Sequence, residues 1–279
     1  MQGTLYLVAT PIGNLADITY RAIEILREVN VIACEDTRHT QKLLQHYGIK
    51  TKTLSYHEHN EKQRAKELVE KLNDGCDVAI VSDAGTPAIS DPGFRVVQQA
   101  IAANVRVVPV PGPSALVAAL TASGLSTNEF FFGGFLPSGS SARREKLREL
   151  SLLRVTLVLY EAPHRLLFLL QDALEFLGDR HAVVARELTK IHEEIRRGSL
   201  RELVKLFSSD EKARGEFVVL IDGQPVANVV SSSESVGNLI DRLESEGLDR
   251  RSALKKAARE MGLSRAEAYR RLVAERGGD

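Results

Sequence analysis

Three short loops carry the residue types that could do chemistry in this chain. They are Thr10-Pro11-Ile12-Gly13-Asn14, Glu35-Asp36-Thr37-Arg38 and Ser82-Asp83-Ala84-Gly85-Thr86-Pro87. Each follows a short apolar run, and open α/β sheets bind their ligands at the carboxyl ends of such strands. None matches G-x-G-x-x-G, and no G-x-x-x-x-G-K-[ST] occurs anywhere, so kinase, ATPase and dinucleotide chemistry is unsupported. Backbone N–H and C=O groups on Gly/Pro/Ala-rich loops instead suit a ligand without phosphate, although ordinary tight turns explain each loop taken singly. His57-Glu58-His59 lacks the H-E-x-x-H spacing and needs a third ligand from elsewhere, so no metal is expected.

Two basic runs point to phosphate contacts. Arg143, Arg144, Lys146 and Arg148 surround Glu145 directly after a Gly/Ser stretch at 138–141. This reads as a mobile basic loop, with a solvated helix start as the alternative. Arg250, Arg251, Lys255, Lys256 and Arg259 follow one another with no acid between 250 and 259, a stronger patch. The whole chain balances 37 basic against 37 acidic residues, so any nucleic-acid binding must use such local patches.

The elements that position these residues follow from patterning. With 279 residues, 43% hydrophobic and 27% charged, the chain has an ordinary globular composition. No apolar run approaches the ~20 residues of a membrane span. Leu5 to Ala9 is too short for a signal-peptide core and reads as a buried strand. Two cysteines, Cys34 and Cys76, make neither a disulfide framework nor a metal spacing, which fits the reducing cytoplasm. Strands are expected at 4–9, 30–33, 77–81 and 105–110, and helices at 19–28, 38–46, 61–72 and 93–103. That alternation predicts a parallel-rich α/β sheet. Beyond Pro111-Gly112-Pro113 comes a small-residue helix at 115–122. A second α/β lobe then follows, with strands at 155–160, 182–186 and 216–221 and helices near 163–177 and 199–208. Pro, Asn and Ser from 224 to 235 have linker composition. In the tail, Leu254, Ala257, Ala258 and Met261 share one helix face, Gly262 ends that helix, and Ser264 with Glu267 forms a capping box for the next. This predicts a helix-turn-helix. The expected organisation is a lobe at 1–112, a second at 113–223, a linker at 224–235 and a helical extension at 236–279.

Six blocks carry a resemblance to a known family. They are Ala9 to Ile18, Glu35 to Thr40, Val81 to Pro87, Pro109 to Ser114, Tyr160 to Arg165 and Ala185 to Lys190. In this order the chain resembles the tetrapyrrole methylase family, in its ribosomal RNA-methylating branch. The resemblance implies a homodimer of two-lobed α/β subunits binding S-adenosylmethionine (SAM) between the lobes. It further implies, as substrate, the 2′-hydroxyl of a cytidine at the decoding centre of 16S rRNA in the 30S subunit. By motif position the cofactor contacts should be Pro11, Val81, Ser82, Asp83, Thr86, Ser114, Ala115, Tyr160, Glu161 and Leu188. Small-molecule relatives have Gly-Asp-Pro where this chain has Ser82-Asp83-Ala84.

Methyl transfer to an alcohol needs positioning and a proton acceptor. Candidate bases are Asp36, Glu187 and, if its pKa is lowered, Lys190. Helix capping is the alternative for Asp36, and a surface ion pair for the other two. Arg38 and Arg165 beside the loops, with Arg143, Arg144, Arg250, Arg251, Lys255 and Lys256, are the expected RNA contacts; solvated arginines are the plainer reading. Two other functions compete: a methylase of a precorrin-like tetrapyrrole, and a non-catalytic nucleic-acid-binding regulator built on the helix-turn-helix.

Overall fold

The computed structural model describes residues 1–208, 215–224 and 235–276. Two compact units partition the chain, Met1–Gly223 and Gln224–Asp279.

Unit one holds two five-stranded sheets. The first is wholly parallel, in the order β3-β2-β4-β1-β5. Its strands are β1 (Thr4–Val8), β2 (Val31–Cys34), β3 (Thr53–Ser55), β4 (Val78–Val81) and β5 (Arg106–Val110). Alternation along the strands decides the layers. Ala79 and Val81 of β4 face α1 (Tyr20–Glu28) and α2 (Thr37–His46) in one core, whereas Val78 and Ile80 face α3 (Glu61–Asn73) and α4 (Phe94–Ala102) in another. Because all five strands run the same way, the loops after β1, β2, β4 and β5 emerge at one edge, as expected from the sequence.

The second sheet is mixed, in the order β6-β7-β10-β8-β9. It comprises β6 (Phe130–Phe135), β7 (Thr156–Glu161), β8 (His181–Arg186), β9 (Glu194–Ser199) and β10 (Phe217–Ile221), with only β6 and β7 parallel. One face packs on α6 (Ser140–Leu150), α7 (Leu166–Leu177) and α8 (Leu200–Ser208). Leu166, Leu169, Leu170, Ala173 and Leu177 give α7 its buried stripe. The other face packs on α5 (Ala115–Ser123) and on Ile12 from the first loop.

The region after residue 138 corrects the basic-loop expectation. It is helix α6, and Arg143 lies inside the protein, its guanidinium 2.6 Å from Asp172 with side chains 7% and 5% exposed. Arg144 reaches the other Asp172 oxygen at 2.9 Å. Arg143 is therefore withdrawn from any RNA contact. Asp172→Ala would strand a buried guanidinium and is expected to destabilise unit one by about 3–5 kcal/mol. Urea denaturation with a loss below ~1 kcal/mol would show the pair to be dispensable.

Unit two is a three-helix domain with its own core, made by α9 (Val236–Ser245), α10 (Arg250–Glu260) and α11 (Arg265–Arg276). Leu254, Ala257 and Ala258 are buried as the periodicity predicts. Gly262 turns the chain at φ +66, and Ser264 Oγ accepts from the Glu267 N–H at 3.2 Å. The Glu267 carboxylate pairs with Arg270 and Arg271. The Glu275 carboxylate accepts from the N–H groups of Val236 and Gly237, closing α9 onto α11. Apart from Gln224 and Ser235, the expected linker lies outside the described residues. No helix among the described residues is long and apolar enough to cross a membrane.

Candidate active site

Four loops meet at the carboxyl edge of the parallel sheet and are tied to one another. Thr10 and Gly85 exchange backbone hydrogen bonds at 2.9 and 3.1 Å, and the Thr10 hydroxyl donates to Ser82 O at 3.1 Å. Gly85 holds φ +83 there, a conformation that glycine adopts without strain. The Thr86 hydroxyl donates to Pro113 O at 3.4 Å, joining the third loop to the one after β5. The Asp36 N–H donates to Asp83 Oδ1 at 3.1 Å, joining the second loop to the third. Their relative positions are thus set by the backbone as much as by side chains.

Two cavities flank this junction. A first, of about 340 Å³, is lined by six of the expected cofactor residues: Asp83, Thr86, Ser114, Ala115, Tyr160 and Glu161. Its walls also include Ser90, Asp91, Phe135 and the stretch Gly215 to Val218, which the sequence reading did not single out. Four carboxylates line it (Asp83, Asp91, Glu161 and Glu216), and no Lys, Arg or His does so among the described residues. Such a cavity repels phosphate and favours a cation. Glu161 is 1% exposed, burial pushes its carboxyl pKa up, and its Oε2 has no hydrogen-bond partner among the described residues. A ligand bearing N–H or O–H donors would satisfy that atom.

Pro11, Ser82 and again Asp83 line a second cavity, of about 360 Å³, together with His39, Lys42 and Lys190. Loop residues Pro11, Ile12 and Gly13 form the partition, Ile12 facing the first cavity and its neighbours the second. At Gly13 an added Cβ would lie 2.3 Å from Lys190 Cγ, so the glycine leaves room for that side chain to pass. Of the two remaining expected cofactor residues, Val81 is buried at the end of β4 and Leu188 packs in the core with Ile12, Ala115 and Tyr160.

The expected bases have other occupations. Asp36 is the N-cap of α2, accepting from the Arg38 N–H at 2.8 Å and from the Arg38 guanidinium at 2.7 Å. These bonds hold its carboxyl far below the usual range, which makes it a weak proton acceptor. For Lys190, burial alone would lower the pKa, but Glu187 at 2.8 Å and Glu216 at 3.4 Å outweigh burial and raise it. It stays an ammonium, contrary to the lowered pKa a basic role requires. Burial alone would raise Glu187, yet the Lys190 hydrogen bond and the Glu216 N–H outweigh it and lower the pKa. Glu187 and Thr189 hold φ +51 and +66, a strained turn of the kind that gathers at functional sites. Arg165 is turned inward, donating to Leu136 O at 2.7 Å and pairing with Glu161 at 3.2 Å. Arg38 keeps 88% of its side chain exposed, and Arg250, Arg251, Lys255 and Lys256 are exposed on α10.

Comparison with known proteins decides the family. Residues 4–204 match the Tetrapyrrole (Corrin/Porphyrin) Methylases. The chain belongs to the tetrapyrrole methylase family. Among its relatives, a Ribosomal RNA small subunit methyltransferase I of Synechocystis sp. is 49% identical over 96% of both chains. A protein of the same name from Micromonospora olivasterospora is 46% identical, covering 99% of this chain and 89% of its own. The solved uroporphyrin-III-C-methyltransferase from Thermus thermophilus superposes with a TM-score of 0.58 at 21% identity, over 79% of this chain and 94% of that one. This tetrapyrrole methylase is accordingly a SAM-dependent methyltransferase. Its anionic first cavity suits a cofactor that carries a sulfonium and an ammonium and no phosphate.

One consequence is pH dependence. Burial pushes the Asp91 carboxyl up to about 6, the neighbouring Glu35 charge adds to this, and a Ser82 hydrogen bond only partly opposes it. Asp91 is therefore neutral below that value and anionic above it. SAM affinity is expected to rise severalfold from about pH 5 to about pH 7.5. S-adenosylhomocysteine, without the sulfonium, should respond less, and Asp91→Asn should flatten the profile. Calorimetry across that range checks this; an equal response of both ligands would detach Asp91 from the cation.

Proposed function

We propose that the protein methylates the 2′-hydroxyl of a cytidine ribose at the decoding centre of 16S rRNA. It works as a homodimer on 30S subunits in the cytoplasm. Residues 1–112 and 113–223 serve as its catalytic lobes, and the helical extension at 236–279 as an RNA-docking unit. One observation carries the chemical part of this reading: an anionic cavity and a basic one abut across a single loop, and Asp83 is the one described residue that lines both. The names of the relatives carry the substrate class.

SAM, when bound, supplies an electrophilic methyl carbon on a sulfonium. Two cavities separated by one loop would hold the cofactor and the acceptor side by side, the basic one admitting the acceptor. His39, Lys42 and the Lys190 ammonium would hold phosphates flanking the ribose, and Arg38 at the start of α2 extends that surface. Asp83, on the wall common to both cavities, would accept the proton of the ribose hydroxyl. The Asp36 N–H fixes Asp83, and Glu187 fixes Lys190, so both act as positioning residues. In the first cavity, Glu161 Oε2 and Asp91 would hold the donor and cationic groups of the cofactor, with Thr86, Ser114, Ala115 and Tyr160 as its walls.

The test offers isotopically labelled SAM with 30S subunits, free 16S rRNA and a uroporphyrin-class tetrapyrrole. Label in the 30S RNA supports the reading. Label in the tetrapyrrole alone overturns it, whatever the fold. Sedimentation of the purified chain at the mass of a single copy would remove the homodimer.

A further inference from the structure

Unit two carries a surface that the methyl-transfer chemistry does not use. Between α10 and α11 runs a groove of about 720 Å³. Its floor includes Leu254 and Leu272, which are 9% and 4% exposed, and Tyr269 stands in it 58% exposed. Arg250, Arg251 and Arg265 line it, and no acidic residue does so among the described residues. None of these three arginines makes an ion pair among the described residues, whereas Arg270 and Arg271 of the same α11 are both engaged by Glu267. The groove thus keeps its cations available and places an aromatic ring among them. Lys255 and Lys256, one turn along α10, extend the positive charge.

That combination selects its ligand by chemistry. Phosphates answer the arginines. An apolar ring flanked by guanidinium groups accepts the face of any nucleobase. In a duplex the bases are stacked on one another and present only edges and backbone, so an exposed tyrosine finds no face there. An acidic peptide would satisfy the arginines but would leave the ring without a flat partner. We infer that the α10–α11 groove binds single-stranded RNA, with an unpaired base stacked on Tyr269 and the flanking phosphates held by Arg250, Arg251 and Arg265. This rests on the reading that the substrate is an RNA, and it adds that the docking unit takes an unpaired segment of it.

The experiment uses the full chain and a fluorescein-labelled single-stranded RNA of about twelve nucleotides, within the span such grooves cover. Binding is followed by anisotropy at several salt concentrations. Tyr269→Ala is expected to weaken binding roughly five- to a hundredfold, and Tyr269→Phe to keep it within about twofold. Arg251→Met and Arg265→Met should each flatten the salt dependence by about one phosphate contact. Circular dichroism melts check that the exposed substitutions leave the helices intact, and SAM affinity should not move. Three results would overturn the inference: unchanged binding by Tyr269→Ala, a duplex of equal length binding as tightly as the single strand, or a polyglutamate peptide competing as well as RNA. Methyl transfer to 30S subunits is measured in parallel. Its absence alongside tyrosine-dependent RNA binding would remove the proposed function and leave this inference standing.

Discussion

Asp83→Asn is expected to lower the single-turnover rate of methyl transfer to 30S subunits roughly 10²–10⁴-fold, the usual cost of losing a general base. The substitution keeps an oxygen that can accept from the Asp36 N–H, now at 3.1 Å, so the junction of the second and third loops survives. What disappears is the carboxylate on the wall common to both cavities, the proposed proton acceptor. Glu187→Gln and Lys190→Met should behave differently. Their pair sets the turn beside Gly13 and the charge of the basic cavity, so substrate affinity should fall more than the rate of the bound complex. A wild-type single-turnover rate in Asp83→Asn at every pH would leave catalysis to proximity and orientation alone.

Ala115→Trp is expected to reduce SAM affinity by roughly a hundredfold or more, because ligand pockets bury most of their ligand's surface and an indole takes that space. Ala115 opens α5, is half-buried, and lines the 340 Å³ anionic cavity. Its side chain borders open space, so the enlarged residue costs binding more than folding. Calorimetry for affinity and a thermal melt for stability separate the two effects. Unchanged affinity in a folded variant would move the cofactor out of this cavity.

Much of this arrangement was legible in the sequence, and the exceptions share physical causes. The buried parallel strands read clearly because both faces are covered and the apolar runs are unbroken. Three strands escaped. β3 has only three residues; β6 is interrupted by Gly133 and Gly134, with a register shift between Phe132 and Gly134; β9 is a charged edge strand, Glu194–Ser199. All three lie at a sheet edge, with a hydrogen-bonded neighbour on one side only. Helix α6 was mistaken for a loop because its sequence is crowded with charge, and nothing local announces that Arg143 pairs with Asp172, 29 positions away.

The site divided the same way. Block order and loop composition picked out Thr86, Ser114 and Tyr160, which line the first cavity together. Asp36, Glu187 and Lys190 stand out in the sequence as candidate bases through their places in the matched loops, and the position of Asp36 ahead of a helix already suggests a cap. Asp91 was overlooked because the turn Ser90-Asp91-Pro92-Gly93 reads as punctuation. The signal that distinguishes it is tertiary: Ala88 and Ser90 are held at φ +67 and +63, turning Asp91 into a cavity wall. Gly215 to Val218 entered the site only through the mixed second sheet, which sequence spacing does not reveal.

The most direct measurement of the central claim is the chemical identity of the methylated product. 30S subunits lacking the modification are incubated with the protein and labelled SAM, the 16S rRNA is digested to nucleosides, and the labelled species is identified by mass spectrometry. The predicted product is 2′-O-methylcytidine, abolished in Ala115→Trp and strongly reduced in Asp83→Asn. Label on a base, or on the ribose of a nucleoside other than cytidine, would contradict the assignment.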